Sequence, residues 1–174
     1  MSRFSIEDLA CKQAMAQMLM AWENIEVLLD YINAIILLRT NEDTTKLPAF
    51  VNQKLDLLLK SVTTIDVLAS LKKNSLALVT DIDALKVVRH DVVHGMICKM
   101  ADSRLMQREI TRYSEELVPY KKNYTSEDIV GATDRMLNLT DNLIDLLGAI
   151  EAVLKEGAAE GRYAEATIKA AGAL

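Results

Sequence analysis

Along the first segment the large apolar residues recur every three or four positions. Met15, Met18, Trp22, Ile25, Leu29, Ile32 and Ile36 make one stripe on a helix from about Ser5 to Leu38. Ser5 with Asp8 three residues on resembles a capping pattern at its start. The polar run Thr40 to Lys46 ends that helix, and Pro48 suits the first turn of the next. The stripe of this second helix is Val51, Leu55, Leu58 and Val62; Thr63 and Thr64 interrupt it, and Ile65, Leu68 and Leu71 continue for a short piece. A further helix carries Leu78, Ile82, Leu85 and Val92 and should stop near Gly95. The last long helix starts at Thr125 or Ser126, with Glu127 and Asp128 placed to suit its dipole. Its stripe is Ile129, Ala132, Met136, Leu139, Leu143, Leu146, Ile150 and Val153. Such seams predict an all-α fold, an antiparallel helical bundle of four to five helices. A seam of this length can also extend into a dimer interface, and Met15, Met18 and Met20 read together as core and dimer seam.

Two stretches do not follow this pattern. Between Met96 and Tyr124, the residues Met106, Ile110, Tyr113 and Leu117 would form a helical face. Equally, Met96 to Met100 and Leu105 to Tyr113 would form two strands around an Ala101-Asp102-Ser103 turn, a small β-hairpin at about 96–113. From Gly157 onward the chain is rich in Ala and Gly, so residues 157–174 read as a frayed or extended tail.

Composition narrows the class. With 174 residues, 51% hydrophobic and 26% charged, the chain can bury the core of one domain, and wholesale disorder is excluded. The longest uncharged run of the apolar first segment, Gln13 to Trp22, falls far short of the roughly 20 residues that span a bilayer, so no membrane partner is expected. The start of the chain does not read as a signal peptide. Cys11 and Cys98 are far apart, in no metal-like spacing, and read as buried or idle thiols of a cytoplasmic protein. The net charge of −5 argues against a general nucleic-acid coat. That charge is uneven: residues 86–122 carry eight Lys and Arg against five Asp and Glu, a balance of +3, and the rest of the chain balances at −8.

The candidate chemistry lies inside the basic stretch. Both histidines of the chain fall in Val88-Arg89-His90-Asp91-Val92-Val93-His94-Gly95-Met96. On a continuous helix Arg89 and His94 point about 140° apart, so a cleft shared with another helix or a second copy would suit them. Three readings compete on the residues alone. The group acts on a phosphodiester, His94 moving a proton and Arg89 gripping phosphate oxygens. Alternatively, His90 and His94, four apart, ligate a metal, although a third ligand is missing. The third reading is structural, with Arg89 paired to an acid such as Asp91 and the histidines at a helix end.

The run Arg89-His90-Asp91-Val92-Val93-His94 resembles the Arg-x4-His signature of the HEPN (higher eukaryotes and prokaryotes nucleotide-binding) superfamily. Here His90 supplies the polar residue after the arginine. Trp22-Glu23-Asn24-Ile25-Glu26 is similar to the tryptophan and glutamate often seen in the first helix of compact bacterial members. Tyr124-Thr125-Ser126-Glu127-Asp128 resembles the start of their last helix. The resemblance covers roughly residues 5 to 155, giving a HEPN-like helical domain over 1–156, and it favours the hairpin after the motif. It implies a homodimer with both motifs facing one cleft. In many members it also implies a metal-independent endoribonuclease, often a toxin or part of an antiviral system. By position Arg89 and His94 would be catalytic, with His90 the polar helper. A 2'-hydroxyl would attack the adjacent phosphorus to leave a cyclic phosphate, a reaction needing neither metal nor cofactor. Glu26 would buttress Arg89 or remain a core-edge acid. RNA is the implied substrate and a cognate antitoxin the implied partner; other members keep the fold as a silent dimerisation or binding module.

Besides the catalytic candidates, Asp91 within the motif and Arg104, Arg108, Arg112, Lys121 and Lys122 beyond it are the candidate RNA contacts, with a solvated charged face as the alternative for the basic residues. Tyr113, Tyr120 and Tyr124 interleave with those bases and would either stack on a nucleobase or pack the connection against the bundle.

Overall fold

The first apolar stripe folds as α1 (Ile6–Arg39), with Met18, Trp22, Ile25, Leu29, Ile32 and Ile36 all buried. The computed structural model describes residues 6–94, 112–113, 119–120 and 124–159, and these are almost wholly helical, an all-α fold with one short strand pair. At the end of α1 the Thr40 hydroxyl donates to the Ile36 carbonyl (2.8 Å). Asn41 then takes a left-handed φ of 59°, a conformation its short polar side chain tolerates. That bend lets the Glu42 amide donate to the Leu37 carbonyl at 2.8 Å and close the last turn. Asp43 caps a 3-10 turn over Thr44–Lys46.

The second helix, α2 (Val51–Thr64), begins later than expected. Phe50 is its extended N-terminal cap, and Lys54 N–H to Phe50 carbonyl is an early helical bond (3.0 Å), so Pro48 precedes the helix instead of lying in its first turn. Lys54 is buried; its Nζ pairs with Asp30 Oδ2 at 2.8 Å, and its carbonyl accepts from Asn33 Nδ2 at 3.0 Å. A 3-10 segment, Asp66–Leu71, leads into α3 (Lys72–His94). Two short strands follow: β1 (Arg112–Tyr113) pairs antiparallel with β2 (Pro119–Tyr120), Arg112 opposite Tyr120. The expected strand Met96 to Met100 and its turn lie outside the described residues, and Arg112-Tyr113 pairs forward along the chain.

A reciprocal cap starts α4 (Ser126–Ala159): Thr125 Oγ1 accepts from the Asp128 amide (3.0 Å), and Asp128 Oδ2 accepts from the Thr125 amide (2.7 Å). Its stripe is buried from Ile129 to Ile150 but closes on Leu154, with Val153 only half-buried. The helix continues through Gly157, where the sequence predicts a tail, as far as Ala159. Among the described residues, no helix is long and apolar enough to cross a membrane.

The chain divides into two compact units. One comprises the chain up to Ile25 with Thr80–Thr140, and its core includes Trp22, Ile25, Ile82, Leu85, Ile129 and Met136. The other comprises Glu26–Val79 with the chain from Asp141, built on Leu29, Ile32, Leu58, Leu68 and Leu143. The motif belongs to the first unit.

Candidate functional site

The last two turns of α3 carry the motif without a break in the helix. Leu78, Ile82, Leu85 and Val92 are its buried stripe, and Arg89 falls four residues after Leu85 and three before Val92. The guanidinium therefore occupies an apolar register position. Arg89 is half-buried, and its Nε is buried with no hydrogen bond among the described residues. One residue on, and about 100° round the helix, His90 is exposed.

Asp91 points elsewhere and is fully buried. Its Oδ2 accepts a 2.8 Å hydrogen bond from the hydroxyl of Tyr124, which is itself buried at the entry to α4. Asp91, expected among the RNA contacts, is thus a buried residue bonded to Tyr124. Tyr124 packs, as one of its two sequence readings has it, and its hydroxyl serves one oxygen of the buried carboxylate, whose Oδ1 has no hydrogen bond among the described residues. Nothing local in the sequence signals that bond, because 33 positions separate the partners.

His94 ends α3, and its side chain lies outside the described residues, as do Arg104, Arg108, Lys121 and Lys122. Arg112 is described only as a strand residue. The structure thus joins Arg89, His90 and Asp91 on one helix end and ties Asp91 to Tyr124. Glu26 is half-buried on α1. No three metal-ligating side chains cluster among the described residues.

Beside the Asp91–Tyr124 pair lies a groove of about 430 Å³. Leu85 and Val88 of α3 form one wall; Tyr124, Glu127, Asp128, Gly131, Ala132 and Arg135 form the rest. The Asp128 carboxylate is engaged in the Thr125 cap. The sequence reading missed Glu127, Gly131 and Arg135 as a set; their spacing of four was the available signal. A second groove, of about 330 Å³, runs between Gln17, Met20, Ala21 and Asn24 of α1 and Val130, Thr133, Asp134 and Leu137 of α4. No family model, no curated protein and no solved structure matches the chain.

Proposed function

We propose that the chain is a HEPN-like, metal-independent endoribonuclease that acts in the cytoplasm as a homodimer, in the manner of a toxin or an antiviral or stress effector. The observation that carries this reading is Arg89. A cation set in an apolar stripe, with a buried Nε that bonds to none of the described residues, is costly to the fold and suited to an anion. Phosphate oxygens would supply the missing acceptors. Its place five residues before His94 on one unbroken helix is the second support.

In this reaction His94 takes the proton of the RNA 2'-hydroxyl as that oxygen bonds to phosphorus. The bond from phosphorus to the 5'-oxygen breaks, a proton ends on the leaving oxygen, and a cyclic phosphate remains. Arg89 stabilises the charge gathering on the phosphoryl oxygens. His90, exposed, orients the phosphate, and Arg104, Arg108, Arg112, Lys121 and Lys122 follow the RNA backbone. The homodimer supplies the shared cleft.

A second reading, a silent partner-binding module of the same fold, draws support from the groove beside the motif. Its rim holds Glu127 and Asp128 against Arg135 alone, a balance that disfavours RNA. The test is RNA incubated in EDTA with the natural chain, Arg89→Ala and His94→Ala. Cleavage by the natural chain alone is expected. Cleavage by all three, or by none, removes the catalytic reading, and a requirement for added metal revives ligation by His90 and His94. A neutralising antitoxin that blocks the cleavage is the expected partner.

A further inference from the structure

On α4, Glu127, Gly131 and Arg135 follow at intervals of four and share one face, with acid and base about 12 Å apart along the axis and glycine midway. All three are exposed and border the 430 Å³ groove. Neither the Glu127 carboxylate nor the Arg135 guanidinium is held in an ion pair among the described residues. Among the described residues nothing in its own unit calls for a glycine at position 131. A Cβ there would meet nothing within 4 Å among the described residues, and glycine in a helix interior costs about 1 kcal/mol relative to alanine. A bare backbone at that point admits another helix at close range.

The geometry points to a second copy of this chain as the occupant: α4 packs antiparallel against α4 of the partner subunit, about a two-fold axis through Gly131. The order of charges selects this arrangement. Reversing a helix whose acid precedes its base by eight residues sets Arg135 of the partner subunit opposite Glu127, and Glu127 of the partner subunit opposite Arg135. Two ion pairs then flank two facing glycines. A parallel crossing would set acid against acid. Asp128 would come near Asp134 of the partner subunit, but its carboxylate is turned back onto Thr125. The contact also covers the groove beside Leu85, Val88 and Tyr124, and so lies next to the helix end that carries Arg89. The inference rests on the homodimer proposed above and names its surface.

A residue on a two-fold axis faces its own copy, which gives a strict test. In a Cys11→Ser, Cys98→Ser background, Gly131→Cys should oxidise to a disulfide-linked dimer as the main species, and Gly148→Cys on the same helix should not. Glu127→Arg or Arg135→Glu alone should weaken the dimer about tenfold or more by sedimentation, and the two together should restore it. Circular dichroism checks that each variant keeps its helices. Absence of the disulfide link in the Gly131→Cys variant, or a double reversal no better than the singles, overturns the assignment. If the natural chain is a dimer that cleaves RNA but ignores these changes, only this surface is wrong. If it is a monomer at micromolar concentration, the shared-cleft reading falls with it.

Discussion

Tyr124 donates its phenolic hydrogen to Asp91 Oδ2 across 2.8 Å, both residues buried, and so fastens the end of α3 to the entry of α4. Tyr124→Phe keeps the ring and leaves a buried carboxylate with one donor fewer. The expected cost is about 1–3 kcal/mol in urea unfolding. A loss below about 0.5 kcal/mol would show that the bond contributes little.

Ser75 is fully buried on α3, and its hydroxyl has no hydrogen-bond partner among the described residues. A buried polar atom with no partner costs free energy that alanine does not incur. Ser75→Ala should therefore unfold at equal or higher denaturant, by up to about 1 kcal/mol. A clear loss of stability would mean that the hydroxyl is satisfied after all.

Asp43 accepts hydrogen bonds from the Thr45 hydroxyl (2.7 Å) and the Thr45 amide (2.9 Å). These bonds, with a smaller contribution from the Lys46 charge, hold its carboxyl below the ordinary 3.8. Because the folded value is the lower one, the stabilisation is present above the ordinary value and lost as pH falls through the folded one. A carboxyl titration followed by NMR should place the midpoint under 3.8, and Thr45→Val should move it upward. A midpoint that ignores Thr45→Val would assign the shift to another cause.

Gly148 is exposed in the interior of α4, and a Cβ there would meet nothing within 4 Å among the described residues. Gly148→Ala should stabilise the chain by roughly 0.5–1 kcal/mol through backbone entropy alone. Thermal unfolding reads it directly. A lower melting temperature would show that the site is covered in solution.

Helix registers were legible because they depend on neighbours three and four residues away. Every stripe residue from Met18 to Ile36 is buried, and so are Leu55, Leu58 and Val62. Boundaries were less legible. Pro48 is compatible with a helix start, but the extended backbone at Phe50 delays α2. The α4 stripe ends on Leu154 because a register held for seven turns drifts against the 3.6-residue period. At the candidate site the clustering of Arg89, His90 and Asp91 was visible, and the inward turn of Asp91 was not. Its direction depends on Tyr124, and a contact between distant positions leaves no local period to read. The burial of Lys54 escaped for the same reason, since Asp30 and Asn33 lie on another helix.

The placement of Arg89 between Leu85 and Val92 has an evolutionary consequence. Leucine at that position would complete an uninterrupted seam and relieve a buried nitrogen, so screening for thermal robustness alone should drive the arginine out. Its retention under a screen for biological effect, and its loss under one for robustness, would separate what this helix end does from what holds it together.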